Sequence, residues 1–369
     1  MKKILVLGAY GHAGRYIVKG LAKHVNATIV ATGRDKAKLD ACFAAMHSTN
    51  LTTEILDAFE MPSLSRACEP ADLVINCVGP YARNGDRITK VVIDAGKDYI
   101  DFANEQSHFR CLQALDARAK ERNLSMVTAV GTSPGLSTLL FLVAREKLPD
   151  VSSLEMYYAS GSKSEPHEAF GSVMGAIVET GFEPVEFTDG SYVKTFLGKD
   201  KKFEPMPAPF GNTYVIAFPT IDALVIPKLC PVKNVRSYWA MGAIPPGFTT
   251  IIKLLKPHRK DWSYNLVSKI VKASMKADHK KAKSQGLGLE SVIKIVAIAG
   301  TRRWEALMTF PDGGGAAASY LPVITAKKIV EGAITGKGLL TPIDIIKPSD
   351  LIGAARDAGW NGTYTEANV

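Results

Sequence analysis

The sequence predicts an α/β protein: a Rossmann-type, doubly wound parallel sheet plus an inserted α+β domain with a mostly antiparallel sheet. Three observations lead there. Residues 2–130 alternate continuous Val, Ile and Leu runs with stretches of helical periodicity, as in a parallel sheet covered on both faces. Three glycines, Gly8, Gly11 and Gly14, follow the first apolar run directly. Beyond residue 150 the chain changes to strand-like runs broken by Gly, Pro and Asp, the pattern of antiparallel pairing.

Six strands are read in the first part: "KILVLG", "ATIVATG", "LTTEILDA", "ADLVINCVG", "DYIDFA" and "SMVTAVG". Helical periodicity lies between several of them, as at Ile17–Leu21 and Val91–Ala95, so parallel pairing with right-handed crossovers is expected. The second part offers "LEMYYAS", "SYVKTFLG", "NTYVIAFP" and "NVRSYWAMG" as strands and "SVMGAIVETG" as a helix. "ESVIKIVAIAG" and "RRWEALMTFP" read as a hairpin of the same sheet. From "GGGAAASYLPVITAKKIVEGAITG" onward the pattern is helical again. The expected division is therefore 1–135 for the Rossmann domain, 136–315 for the inserted domain, and 316–369 for helices returning to the first.

The totals narrow the classes. A chain of 369 residues suits two domains better than one core. No apolar run approaches a membrane span. The start, "MKKILVLGAYG", is read as a first strand because glycine interrupts its apolar run at once. A cytoplasmic protein beginning near Met1 is the expectation. Five scattered cysteines without a C-x-x-C fit reduced thiols. Seven histidines without H-E-x-x-H or H-x-H spacing give no expected metal site.

The glycine spacing has a physical reason. Gly8 permits a tight strand-to-helix turn, Gly11 lets the backbone approach a pyrophosphate, and Gly14 lets helix pack close to strand. The helix start then offers N–H groups and a positive dipole end to phosphate. Tyr10, His12 and Ala13 fill the loop between these glycines. At the end of the second strand, where an acidic residue would bind an NAD ribose, stand Thr32, Gly33 and Arg34. A guanidinium matches a 2′-phosphate in charge and fork geometry, so NADP is expected as cofactor. Asp35, turned inward, would instead suit NAD. Ligands lie beyond the carboxyl ends of such strands. That rule adds Asp57 near adenine, the run Cys77, Val78, Gly79 and Pro80 beneath the nicotinamide, and Thr132 after the sixth strand.

At "ATGRDKAKL", "INCVGPYARNGDRITKVVIDAGKDYIDFANE" and "GTSPGLSTLL" the chain resembles the saccharopine dehydrogenase-like oxidoreductases, most strongly over residues 1–145. The resemblance implies an NADP-binding Rossmann domain built from both chain ends and an inserted domain that often forms a homodimer. It implies hydride transfer at a carbon–nitrogen bond of an amino-acid-derived substrate, an imine or secondary amine. Asn104 stands where a glycine is frequent in that family. Two alternatives stay open: an NADPH-dependent C=C (enoyl) reductase on a lipid-like substrate, and a non-catalytic NADP-binding protein at a membrane.

Hydride transfer needs orientation and a proton source. Tyr81, Asp101 and His167 are the acid–base candidates. Tyr81 follows the Gly-Pro turn, and its alternative is a packed ring. Asp101 ends a strand and could instead cap a helix. His167 titrates in the useful range, and its alternative is a surface position beside Glu165 and Glu168.

Net charge is concentrated in one place. Between Lys253 and Lys283 ten Lys or Arg face two Asp, so this segment holds +8 of the chain's +9. Lys269, Lys272, Lys276, Lys280 and Lys283 recur at three- and four-residue steps, while Leu266, Val267, Ile270, Val271 and Met275 cover other parts of the circumference. The segment is read as an amphipathic helix, either covering the inserted sheet or touching an anionic membrane or acidic partner. No aromatic–basic interleaving suggests nucleic acid.

Overall fold

The computed structural model describes residues 1–46, 48–161, 170–241, 247–284, 286, 288, 290–348, 350–351 and 361–368, with backbone alone at 281, 282 and 361–368. The first part alternates strictly: β1 (Lys3–Leu7), α1 (Gly14–His24), β2 (Thr28–Gly33), α2 (Lys36–Phe43), β3 (Leu51–Ile55), α3 (Met61–Cys68), β4 (Leu73–Asn76), α4 (Tyr81–Asp94), β5 (Asp98–Asp101), α5 (Gln106–Glu121) and β6 (Ser125–Val127). Ile4, Leu5, Val6 and Leu7 are all buried, as are all four residues of β4. Consecutive burial is what a strand covered on both faces requires. By contrast β3 is an edge strand, and four of its five residues are exposed. In α4 the buried positions Tyr81, Gly85, Ile88, Thr89 and Val92 advance by turns of the helix and form its inward stripe.

The second part begins with α6 (Leu136–Lys147) and β7 (Ser153–Ser160). It continues with α7 (Phe170–Glu179), β8 (Val185–Thr188), β9 (Ser191–Lys194), β10 (Lys201–Pro205), β11 (Asn212–Ala217), α8 (Asp222–Leu229) and β12 (Asn234–Ala240). Then come α9 (Phe248–Leu255), α10 (Asp261–Ser284), β13 (Ser291–Ala299) and β14 (Arg302–Phe310). The hairpin read from the sequence is β13–β14, paired from Ser291–Phe310 to Ala299–Arg302. This sheet is mixed: β7 pairs antiparallel with β13 and parallel with β12. Along the order β10-β11-β12-β7-β13, the first and last strands would be about 19 Å apart in a flat sheet. Yet Lys294 Nζ of β13 reaches Glu204 of β10 at 2.8 Å, so the sheet curls strongly. Inside the curl Tyr157 and Tyr238 stack at 5.4 Å, with Lys202 Nζ 4.4 Å from the Tyr238 ring centroid.

The C-terminal part is divided. Helix α11 (Gly313–Val330) and strand β15 (Gly338–Leu340) belong with the first sheet, but β16 (Asn361–Asn368) pairs antiparallel with β14. The first sheet thus has seven parallel strands in the order β15-β6-β5-β4-β1-β2-β3. One compact unit comprises 1–103, 108–135 and 315–345; the other comprises 104–107, 136–314 and 346–369. The sequence reading put 316–369 in returning helices, and this is corrected: only 315–345 return. The stretch "NGTYTEAN" is rich in strand-forming Thr and Tyr, and eight of its residues extend the exposed edge that β14 offers. Tight packing fixes α11 on α1, since a Cβ on Gly20 would lie 2.7 Å from Val323.

Candidate functional site at the strand ends of the first unit

The glycine loop is built as its spacing implies. Gly8 has φ +70°, a conformation that L side chains rarely adopt. A Cβ there would stand 2.9 Å from Val78 and 3.2 Å from the Cys77 carbonyl, so this residue also joins the β1 loop to the β4 loop. A Cβ on Gly14 would lie 2.6 Å from the Gly8 carbonyl oxygen, and one on Gly11 would lie 3.0 Å from it. Gly8 and Gly14 therefore exclude a side chain, and Gly11 leaves little room for one. Ala13 precedes α1 and gives it no side-chain cap, which leaves the helix start to backbone N–H groups and the dipole. This is a cradle for a pyrophosphate.

The end of β2 carries the discriminating charges. Arg34 is exposed and lies 4.0 Å from Asp57, with its guanidinium 5.8 Å from the Phe59 ring centroid. Asp57 also accepts the Phe59 N–H at 3.0 Å, which fixes the turn after β3. Asp35 does not turn inward: it caps α2, accepting the Lys38 N–H at 3.2 Å and pairing with Lys38 Nζ at 3.3 Å. The Lys38 N–H holds the Asp35 carboxyl below the usual range. Gly33 lies under Tyr10, whose ring would be 2.3 Å from a Cβ there. Lys38 Nζ is 5.9 Å from the same ring. Tyr10, Gly33, Arg34 and Asp57 thus form one rim with a free guanidinium face and no inward carboxylate at the β2 end, which fits a 2′-phosphate.

After β4 the chain runs Cys77, Val78, Gly79 and a cis-Pro80 into α4. Asn76 is buried and braces this turn, its Oδ1 accepting the Val78 N–H at 2.9 Å while its Nδ2 reaches Tyr99 at 3.1 Å. Burial, with Asp101 adding repulsion, pushes the Cys77 thiol far up, so it stays neutral. Tyr81 is buried and donates its hydroxyl to the Asn76 carbonyl at 2.7 Å. Asp101 is fully buried, accepting from Thr128 at 2.5 Å and from the Ala103 N–H at 3.1 Å, with His108 Nε2 at 2.7 Å. Burial pushes the Asp101 carboxyl up. The charge and hydrogen bond of His108, with the Thr128 and Ala103 donors, outweigh that and hold it below the usual range. The His108 ring stacks on Tyr81 at 5.4 Å.

The structure therefore brings Tyr81 and Asp101 together through His108, in a buried set that supports the β4–β5 turns. Both are expected as acid–base groups, and the structure shows their polar atoms hydrogen-bonded within the first unit. His167 lies outside the described residues. Sequence reasoning missed His108, Asn76 and Phe59. Of these only Asn76 carried a signal, as a polar residue closing an otherwise apolar strand. Past β6, Thr132 Oγ1 and Ser133 Oγ are buried without a hydrogen-bond partner among the described residues. Orphaned hydroxyls at the strand ends, beside a loop too tight for a Cβ at Gly8 and Gly14, suit a dinucleotide site. No cluster of metal-ligating side chains occurs among the described residues.

Comparison with known proteins agrees with this geometry. Residues 4–130 match the saccharopine dehydrogenase NADP-binding domain family. A probable mitochondrial saccharopine dehydrogenase-like oxidoreductase of Arabidopsis thaliana is 27% identical over 191 residues, covering 47% of this chain and 42% of that protein. A lipid droplet localized protein of Caenorhabditis elegans is 26% identical over 138 residues, covering 35% of this chain and 32% of its own. The chain thus matches less than half the length of these relatives. In fold, it resembles the saccharopine dehydrogenase (L-Glu forming) of Saccharomyces cerevisiae over 100% of both chains, with a TM-score of 0.65 at 15% identity. Residues 4–130 are thus similar to the NADP-binding domain of the saccharopine dehydrogenase family.

Proposed function

We propose that the protein is an NADP-dependent oxidoreductase acting at a carbon–nitrogen bond of an amino-acid-derived imine or secondary amine. The observation that carries the cofactor side is the β2 rim: Arg34 presents a guanidinium where Asp35 is committed to capping α2. The carbon–nitrogen assignment draws support from the domain family of residues 4–130 and from the fold shared with the yeast enzyme. Gly8, Gly11 and Gly14 would hold the pyrophosphate and Arg34 the 2′-phosphate, and the Cys77–Pro80 turn would flank the nicotinamide. When bound, NADP supplies or accepts the hydride.

In this reading Tyr81, Asp101 and His108 are positioning residues. They keep the β4 and β5 loops rigid, which is what orientation of a hydride donor demands. The test is NADPH consumption by the purified protein with amines mixed with 2-oxo acids. Steady oxidation of NADPH, absent with NADH, is the expected result. A second reading, reduction of a C=C bond in a lipid-like substrate, draws support from the relative named for lipid droplets. Turnover with enoyl substrates and none with amine mixtures would select it.

A further inference from the structure

Helix α10 has more apolar surface than its packing uses. Val267 and Val271 are buried, and Ser268 Oγ lies 3.9 Å from Met174 Sδ on α7, so this side packs inside the second unit. A helix that only covers a core needs one apolar stripe. Yet α10 carries a second stripe in water: Trp262, Leu266 and Ile270, at four-residue steps, with Trp262 58% exposed. The preceding helix adds Ile251 and Leu254, the latter 73% exposed, while Ile252 between them is buried. At the joint Phe182 is also exposed, its ring edge-on to His258 at 5.2 Å. Among the described residues, five of the eleven exposed large apolar side chains fall between Ile251 and Ile270.

The charges sit beside this stripe. On a helix of 3.6 residues per turn, Lys269, Lys276 and Lys280 lie within about 60° of the Trp262–Leu266 line, and all three are exposed. Lys260 Nζ stands 5.9 Å from the Trp262 ring centroid. We propose that the outer surface of α9 and α10 docks the protein onto an anionic lipid bilayer. Charge decides the occupant. A second copy of the same face would set a +8 segment against another +8 segment, whereas anionic headgroups complement it. Exposed Trp and Leu beside lysines are the side chains that enter the headgroup boundary while the ammonium groups stay in water.

The experiment uses the full chain with vesicles of phosphatidylcholine alone and of phosphatidylcholine mixed with phosphatidylserine. Cosedimentation with the mixed vesicles at low salt is expected, with little uptake by the neutral ones and a loss of about tenfold or more at high salt. Trp262 emission should shift to the blue on binding, and Trp262→Phe should remove that shift. The triple variant K269E/K276E/K280E should abolish cosedimentation, and W262A/L266A should weaken it about tenfold. Both should leave the melting temperature and NADPH affinity unchanged, which separates this proposal from the catalytic one. No uptake by anionic vesicles at low salt, or equal uptake by neutral ones, would overturn it. So would a dimer in light scattering that the same variants dissociate, without vesicle binding.

Discussion

Asp35 accepts the backbone N–H of Lys38 at 3.2 Å, and this one contact decides the character of the β2 rim. The carboxylate is spent on starting α2, so the next-door Arg34 is the charge left to meet a ribose substituent. Arg34→Ala should weaken NADPH binding by about tenfold or more and leave NADH binding nearly unchanged. Fluorescence titration with both nucleotides checks this; equal losses for the two would assign Arg34 to general field, not to the 2′-phosphate.

Gly14 tests the cradle from the backbone side. A methyl group at this position would meet the Gly8 oxygen at 2.6 Å and the Ala9 oxygen at 2.9 Å. Neither is the tip of a flexible side chain, so the loop must shift. Gly14→Ala should cost about 1–3 kcal/mol of stability and raise the Kd for NADPH more than tenfold. Gly96→Ala is the control for a positive-φ glycine with open space around it; it should lower the melting temperature without changing cofactor affinity.

The Asp101–His108 pair should be structural. His108→Ala removes a donor from a fully buried carboxylate that retains Thr128 and the Ala103 N–H. A loss of about 3 kcal/mol in urea unfolding is expected, with affinity for NADPH falling only as the β5 loop loosens. A collapse of kcat at unchanged stability would instead place His108 in the proton path.

In the second unit, burial pushes the Asp222 carboxyl up to about 6, against the hydroxyls of Ser137, Thr138 and Thr220 that pull it down. The folded value exceeds the unfolded value of 3.8. The protonated form is therefore favoured by folding, and its contribution is complete below about pH 4. It is lost as pH rises through about 6, at most about 3 kcal/mol in all. Asp222→Asn should flatten the decline of stability between pH 4 and 6 relative to the parent. An unchanged pH–stability slope across that window would refute this.

Much of the architecture was legible because it rests on local chemistry. Continuous apolar runs marked β1, β2 and β4, and glycine at Gly8, Gly11 and Gly14 marked the cradle, since positive φ and Cβ exclusion are properties of a few neighbouring residues. The β13–β14 hairpin was legible for the same reason. Less could be read where a partner lies far along the chain. His108 gave no sign of its pairing with Asp101, and Lys294 in an apolar strand gave none of Glu204, 90 residues away. The final strand β16 was read as helical because nothing local revealed the open edge of β14.

By itself, then, the sequence determined the strand–glycine–helix unit, the choice of Arg34 as the cation at the β2 end and the crowding of lysines into residues 253–283. Each of these follows from spacing and side-chain type within a turn or two of chain. Only the tertiary structure decided that Asp35 caps α2, that Tyr81 and Asp101 are tied together inside the first unit, and that Trp262, Leu266 and Ile270 stay in water. Those outcomes depend on which long-range surface each side chain meets. Burial and hydrogen-bond partners are set by packing, and packing is a property of the assembled fold.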